Sequence, residues 1–477
     1  MPEEEVKTRG RRVLNPRSAN NTIADDFVNH PSFRREIVYF RNYDSFFYWT
    51  ESRYFRKLDS FEMKQLIVRF IETNYPKQGF TTSQVKDIID LIKLKCLRVA
   101  KQEETQYIAF QDCLYNTRTF TTEVFDLERL VTWNLPYNLA DLQMPTPIFD
   151  KFLQSSLVEY KDTTVPDFEL INLLQEMMGF FMTDTFYATG AFFFYGMGSN
   201  GKSVLMDLLE KIFGDDYVSA LSLSDFNKRF TMVDLINKRL NISREEDEKY
   251  VSAKMFKSIV TGESVRAEHK FGEGFKMRPT CKFLFSTNKL PTFDGFDYGL
   301  KRRLFLIPFH RQIKPKDQDK HLIEKLEAEI PGIIGWALEG AKRLQANNYV
   351  FSPSKASADL FLEFEEEMSS AIMFFNENYV IDDDFRTSKA DVYEHYRGWL
   401  AENGKKGVLS KRKFNHELRE NIEGFKDDLF SSGPSGSFRA YNCRRSDRDN
   451  RDVYKERKED GIITDPEQVA QMLPGLV

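Results

Sequence analysis

Eight residues, Gly196-Met-Gly-Ser-Asn-Gly201-Lys202-Ser203, constrain the fold more than any other part of the chain. They follow an apolar, β-prone run, Ala191-Phe-Phe-Phe-Tyr195, and precede a helical pattern, Val204 to Phe213. A strand, a glycine loop and a helix in that order aim several backbone N–H groups and a helix N-terminus at one anionic group. Gly196, Gly198, Ser199, Asn200, Gly201, Lys202, Ser203 and Val204 are the expected nucleotide contacts. Lys202 would reach the β and γ phosphates of ATP, and the Ser203 hydroxyl would hold Mg²⁺. The plainer alternative is a glycine turn joining a core strand to a core helix.

The chain has 477 residues, enough for two to four domains. Its 43 phenylalanines imply aromatic cores. A net charge of −5 gives no bulk reason to expect nucleic acid, so local charge must carry that argument. Cys96, Cys113, Cys281 and Cys443 form no Cys-x-x-Cys pair and have no histidines at zinc spacing. A reducing compartment fits. With no signal-peptide core and no run of about 18 apolar residues, a cytoplasmic, membrane-free protein is expected.

The expected fold class is multidomain α/β. Residues 1–25 read as a flexible tail and 26–135 as an α+β domain, with helices over Phe61 to Tyr75 and Ser83 to Leu97. Within that domain, Gln106 to Phe110 and Thr119 to Phe125 read as strands joined by a turn near Asn116. Residues 136–165 read as a proline-containing connector and 166–345 as an α/β ATPase domain. The latter opens with an amphipathic helix from Asp167, and its alternating elements imply a mostly parallel sheet. The stretch His321 to Leu344 is helical again. A linker is expected over 346–367, a small domain over 368–443 and a charged tail over 444–477.

An ATPase also needs an acid for metal and water, a polar γ-phosphate sensor and a cation for the transition state. Lys238 to Ser243 reads as a strand followed by Arg244-Glu245-Glu246-Asp247-Glu248. Glu245, a second candidate ligand for Mg²⁺ beside Ser203, is the favoured acid, with Glu246 second. A solvated acidic helix start is the other reading. Cys281 to Asn288 is a β-prone run that ends in an amide suited to the γ-phosphate or the lytic water, or to a turn. Arg302 and Arg303 precede the strand-like Leu304 to Phe309. Either could enter a neighbouring subunit's site, or simply form a surface ion pair. His269 and Lys270 sit at the tip of an expected hairpin, as a DNA-gripping loop or a solvated turn.

Taken together, these pieces resemble the superfamily 3 helicases of the AAA+ class, over roughly residues 105–443. The similarity is to the poxvirus, phage and mobile-element primase-helicase branch, and to self-loading replication helicases of staphylococcal islands. It is also carried by Phe256-Lys-Ser-Ile-Val-Thr-Gly262-Glu263 and by Ala328 to Gly340. The resemblance implies that Lys202 and Ser203 are Walker A, Glu245 the Walker B acid, Asn288 sensor 1, and Arg302 or Arg303 the finger. It implies that Lys257 reaches a neighbour's nucleotide and that His269 and Lys270 line a central channel. The Walker B strand ends in Glu245-Glu246, with Asp247-Glu248 only afterwards, so the choice of acid stays open.

The last domain fits the same picture. Thr387 to Tyr396 and Ser410 to Arg419 read as helices, with Ser410 as N-cap, and Phe438 to Tyr441 as a returning strand. This resembles a winged helix whose recognition helix carries Lys411, Arg412 and Lys413 to DNA. Protein docking is the alternative. The resemblance implies a homo-hexamer acting on single-stranded and forked DNA, in a bacterial host cytoplasm, with a possible separate primase. An origin-binding initiator whose ATPase drives assembly, and a small-molecule P-loop kinase, are competing readings. Asp382-Asp-Asp384, the only run of three aspartates, lies off any expected sheet, so primase activity in this chain is not expected.

Overall fold

The computed structural model describes residues 19–445, apart from 35, 41–43, 97–98, 101–103, 245–250, 269–273, 294–296, 405–406, 423, 428 and 434–435. The chain divides into two compact units at Asp141/Leu142.

The first unit opens with α1 (Ala19–Asn29), followed by β1 (Ile37–Phe40), β2 (Ser45–Trp49) and β3 (Phe55–Leu58). Then come α2 (Ser60–Asn74), α3 (Thr82–Lys95) and β4 (Val99–Ala100). The sheet order is β3-β2-β1-β4, with only β4 parallel to its neighbour. Capping boxes Asp59–Glu62 and Thr81–Gln84 start α2 and α3, satisfying N–H groups that a helix cannot pair internally. The expected tail is too long by part of a helix, because Ile23 and Ala24 of α1 are buried. Two strands were expected near Asn116, but three form: β5 (Tyr107–Ala109), β6 (Leu114–Asn116) and β7 (Thr121–Glu123). Asn116 is the hinge, its Oδ1 accepting from Arg118 N–H at 2.9 Å and Thr119 N–H at 3.3 Å.

The second unit begins with α4 (Pro147–Ser156) and α5 (Phe168–Met182). Next are β8 (Ala191–Tyr195), α6 (Lys202–Phe213), β9 (Val218–Ser219), β10 (Leu240–Ser243) and α7 (Ala253–Val260). An antiparallel hairpin follows, β11 (Val265–Glu268) with β12 (Gly274–Met277), then β13 (Lys282–Thr287), α8 (Tyr298–Lys301) and β14 (Leu304–Pro308). The main sheet runs β14-β8-β13-β10-β9 and every neighbouring pair is parallel. Its inner strands, β8, β10 and β13, are buried almost throughout, as strands of a parallel sheet covered on both faces are. Phe193 stacks on Phe285 at 5.2 Å and Phe192 on Phe305 at 4.7 Å, so the phenylalanine-rich composition goes into this core.

The stretch expected to be one helix from His321 divides into α9 (Leu322–Glu327) and α10 (Ile330–Ala346), with Pro331 in the first turn of the second. Between them, the buried Glu329 carboxylate accepts from the N–H groups of Ile148 (3.0 Å) and Phe149 (2.9 Å), capping α4. The expected connector therefore holds a packed helix, with Phe149, Phe152 and Leu153 buried. The expected linker likewise holds most of α11 (Lys355–Met368). Leu360, Phe361 and Phe364 sink into the same core as Phe193, while the acid-rich sequence around them reads as solvated.

The last part contains α12 (Ser370–Asn378), β15 (Tyr379–Ile381), β16 (Thr387–Ser388), α13 (Lys389–Glu402) and α14 (Lys411–Asn421). It ends with β17 (Leu429–Gly433), β18 (Gly436–Tyr441) and β19 (Cys443–Arg445). Strands pair in the order β16-β18-β17, and β15 pairs with β19. Three helices close over them around Phe374, Tyr396, Phe414, Leu418 and Tyr441. The first expected helix starts two residues late, because Thr387 and Ser388 pair with β18. Arg444 and Arg445, assigned to the tail, belong to β19, and the rest of that tail lies outside the described residues. Asp382 and Asp383 are held in ion pairs with Arg444 and Lys426, both at 2.9 Å. Among the described residues, no helix is long and apolar enough to cross a membrane, and no group of three or more His, Cys, Asp or Glu could hold a metal.

Candidate functional site

Parallel strands bring their C-terminal ends to one edge, where chain reversals leave backbone groups open to a ligand. In register, Tyr195 of β8 lies beside Thr287 of β13 and Pro308 of β14. Ser243 of β10 lies beside Phe285. The glycine loop and Asn288 directly follow the ends of β8 and β13. The register therefore assembles on one edge what the sequence scatters over almost a hundred residues.

The loop itself is pinned. Gly196 has a φ of +154°, and a Cβ there would lie 2.5 Å from the Phe309 carbonyl oxygen. Gly201, the N-cap of α6, has a φ of +94°, and a Cβ would meet Ser156 Oγ of α4 at 2.8 Å. Both positions require glycine, whereas a Cβ at Gly198 would meet nothing within 4 Å. Ser199 is exposed and also left-handed, at φ 61°; its carbonyl accepts from Ile313 N–H at 2.7 Å. Asn200 is buried, and its Nδ2 donates to Met197 O (2.9 Å) and Phe309 O (3.4 Å). The sequence places Asn200 among the ligand contacts; in the structure its amide ties the loop to the chain after β14.

Lys202 opens α6 with its ammonium turned back into the loop. Nζ donates to Gly196 O and, at 3.3 Å, to Asn288 Oδ1. Burial pushes its pKa down to about 8, since the low-dielectric surroundings disfavour the charged form. A phosphate beside it would reverse that penalty. Ser203 is exposed and Val204 half-buried on the first turn, leaving the Ser203 hydroxyl accessible to a cation. Glu245 and Glu246 lie outside the described residues, as do His269 and Lys270 at the tip between β11 and β12. Ahead of the acids, Arg244 is ion-paired with Asp207 and Glu210 of α6.

Arg302 and Arg303 lie at the opposite edge. The Arg303 carbonyl accepts from Ala191 N–H at 2.9 Å, at the N-terminal end of β8. Five strand residues then separate it from Gly196, about 16–20 Å at some 3.3 Å per residue. That is beyond the reach of an arginine side chain to its own loop. Arg303 donates to Gly299 O, while Arg302 is exposed. Lys257 of α7 joins them, ion-paired with Asp297 at 2.7 Å. Burial raises the Asp297 carboxyl, but hydrogen bonds from Lys257 and Leu300 N–H outweigh it and hold the pKa below the usual range. The structure thus gathers Lys257, Arg302 and Arg303 on one patch, away from Lys202.

On α14, Ser410 Oγ accepts from Lys413 N–H at 3.3 Å, capping the helix. Phe414 and Leu418 face the core, which leaves Lys411, Arg412 and Lys413 exposed on the first turn. Sequence reasoning missed Ser156 beside the loop and Asn241, buried in β10. The Asn241 amide pairs with Ser219 Oγ and with both backbone groups of Leu221 at 2.8–2.9 Å. A lone amide inside the strand Leu-Asn-Ile-Ser was the available signal for it.

Comparison with known proteins gives two family matches. Residues 194–303, which include the loop, Asn288 and the arginine pair, match a family of unknown function (DUF5906). Residues 366–465 match the Poxvirus D5 protein-like family. Among solved structures, the apo NrS-1 C-terminal region (305–718) is 13% identical, with a TM-score of 0.45 over 85% of this chain and 95% of that one. An A-form apo structure of the same region is 14% identical with a TM-score of 0.41 and the same coverage.

Proposed function

We propose that this chain is an ATP-dependent replicative DNA helicase that closes into a homo-hexameric ring. One observation carries this reading: Lys202 and Asn288 meet at one edge of the sheet, while Lys257, Arg302 and Arg303 share the other. Each copy thus supplies two half-sites that face different neighbours. ATP sits in the glycine loop of one copy, and a guanidinium from the next stabilises charge on the transferring phosphoryl group. Mg²⁺, held by Ser203 and a carboxylate after β10, would draw charge from the phosphate oxygens. Asn288 orients the lytic water. The Poxvirus D5 protein-like match supports a replication role, as does the exposed basic turn of α14, which suits a DNA groove as the recognition helix of a winged helix. The β11–β12 hairpin would carry His269 and Lys270 against one DNA strand in the channel. A mobile genetic element in a bacterial cytoplasm, with a separate primase, is the setting this reading implies.

The test is strand displacement on a forked duplex with ATP and Mg²⁺. Lys202→Ala should abolish both turnover and separation. ATP hydrolysis without any strand separation by the unaltered protein rejects translocation. The exposed Lys411–Lys413 turn also favours a second reading, an origin-binding initiator. A footprint at a defined sequence, lost in Lys411→Ala with Arg412→Ala, would distinguish it.

A further inference from the structure

Beside the glycine loop lies a pair of rings that the phosphate contacts leave unused. After α4 the chain folds back on itself. Glu159 N–H donates to Val165 O and Asp167 N–H to Leu157 O, both at 3.0 Å, and Val158 bridges Pro166. Tyr160 projects from this closed turn with 76% of its surface exposed. Its ring meets His310 edge-on, with centroids 5.1 Å apart and planes at 68°.

Both rings are tied to the loop. Phe309, just before His310, receives the Asn200 amide, and Ile313 N–H donates to Ser199 O. Arg311 Nη1 donates to Ser155 O at 3.1 Å, joining the two flanking segments, and Ser156 abuts Gly201. His310 Nε2 is buried with no hydrogen-bond partner among the described residues. Burial also lowers the imidazole pKa, so the ring is neutral and can pair with a neutral polar group. Buried polar atoms left without a partner are uncommon and ask for an explanation.

A triphosphate in the loop carries a sugar and a base that must rest on some surface nearby. An exposed aromatic ring offers a stacking face, and a ring nitrogen without a partner offers a polar contact. We propose that Tyr160 and His310 form the nucleobase subsite of the nucleotide pocket. The base stacks on Tyr160, and its polar edge pairs with His310 Nε2 as the two rings reorient around it. This assignment rests on the phosphate-loop reading above.

The experiment compares binding of ATP and of inorganic tripolyphosphate, each with Mg²⁺, to the full chain by calorimetry. The unaltered protein should bind ATP more tightly. Tyr160→Ala should weaken ATP binding by about tenfold, within the range for losing one base–aromatic stack, and leave tripolyphosphate binding unchanged. His310→Phe keeps a ring of similar bulk but removes Nε2, and should weaken ATP alone. Unchanged ATP affinity in both variants overturns the subsite. So does equal loss of both ligands, which would report damage to the loop. Tripolyphosphate binding as tight as ATP binding by the unaltered protein overturns the subsite but leaves the loop reading standing. Binding of neither ligand removes the loop reading and the subsite with it.

Discussion

Lys202 links burial to pH. In the free protein its ammonium loses its proton as pH rises through about 8, well below the ordinary lysine value. A bound phosphate keeps it charged, so above that pH binding must take up a proton. ATP affinity should be flat near neutrality and fall by up to about tenfold per pH unit above 8. Lys202→Arg, which stays charged throughout, should bind with a flat profile. A steep profile in that variant would put the titration elsewhere. The loop glycines give a second contrast. Gly201→Ala forces a side chain into a left-handed backbone and against α4, and should abolish ATP turnover. Gly198→Ala meets open space and should stay within about twofold of normal turnover. The strand–loop–helix unit around Lys202 and the strand-end position of Asn288 were legible in the sequence, because a glycine loop and a polar strand end mark themselves locally. Ser156 and His310 were not, because nothing local marks a residue whose partner, Gly201 for the one and Tyr160 for the other, lies dozens of positions away.

Among the elements, α5 and α10 pack in close backbone contact. A Cβ at Gly179 would lie 2.3 Å from the Ala337 carbonyl oxygen, and one at Gly340 would lie 2.3 Å from that of Gln175. The helices therefore cross on glycine, backbone against backbone. Gly340→Ala must push them apart, and should cost about 3 kcal/mol, the upper part of the overpacking range, in urea unfolding. Gly398→Ala is the control. It lies exposed in α13 with nothing within 4 Å, and should gain about 0.5–1 kcal/mol from helix propensity alone. Helices with clean apolar periodicity, such as α2, α3 and α5, were readable to within a residue or two. The helix α11 was not, since its Leu360, Phe361 and Phe364 stand among acids that suggest solvent. Likewise α4 is started by a carboxylate from Glu329, a cap that no local pattern encodes.

For the whole molecule, the decisive feature is the distance between the two edges of the main sheet. Register, which is set only when strands pair, places Arg303 beside Ala191 rather than beside Gly196. The sequence supplied the arginines, and strand order supplied their separation from Lys202. If neighbours complete each other, mixing Lys202→Ala protein with Arg303→Ala protein should restore ATP turnover. About a quarter of seams in randomly mixed rings would pair an intact loop with an intact guanidinium, so recovery near that fraction is expected. No recovery after subunit exchange would argue against a shared site.

If the proposed ring is right, an arginine held at the far end of the strand from its own fuel leaves each solitary copy idle. Under the ring reading, newly made chains can load ATP yet not spend it until enough of them meet to close a circle. Abundance itself then becomes the ignition threshold, with no separate inhibitor required.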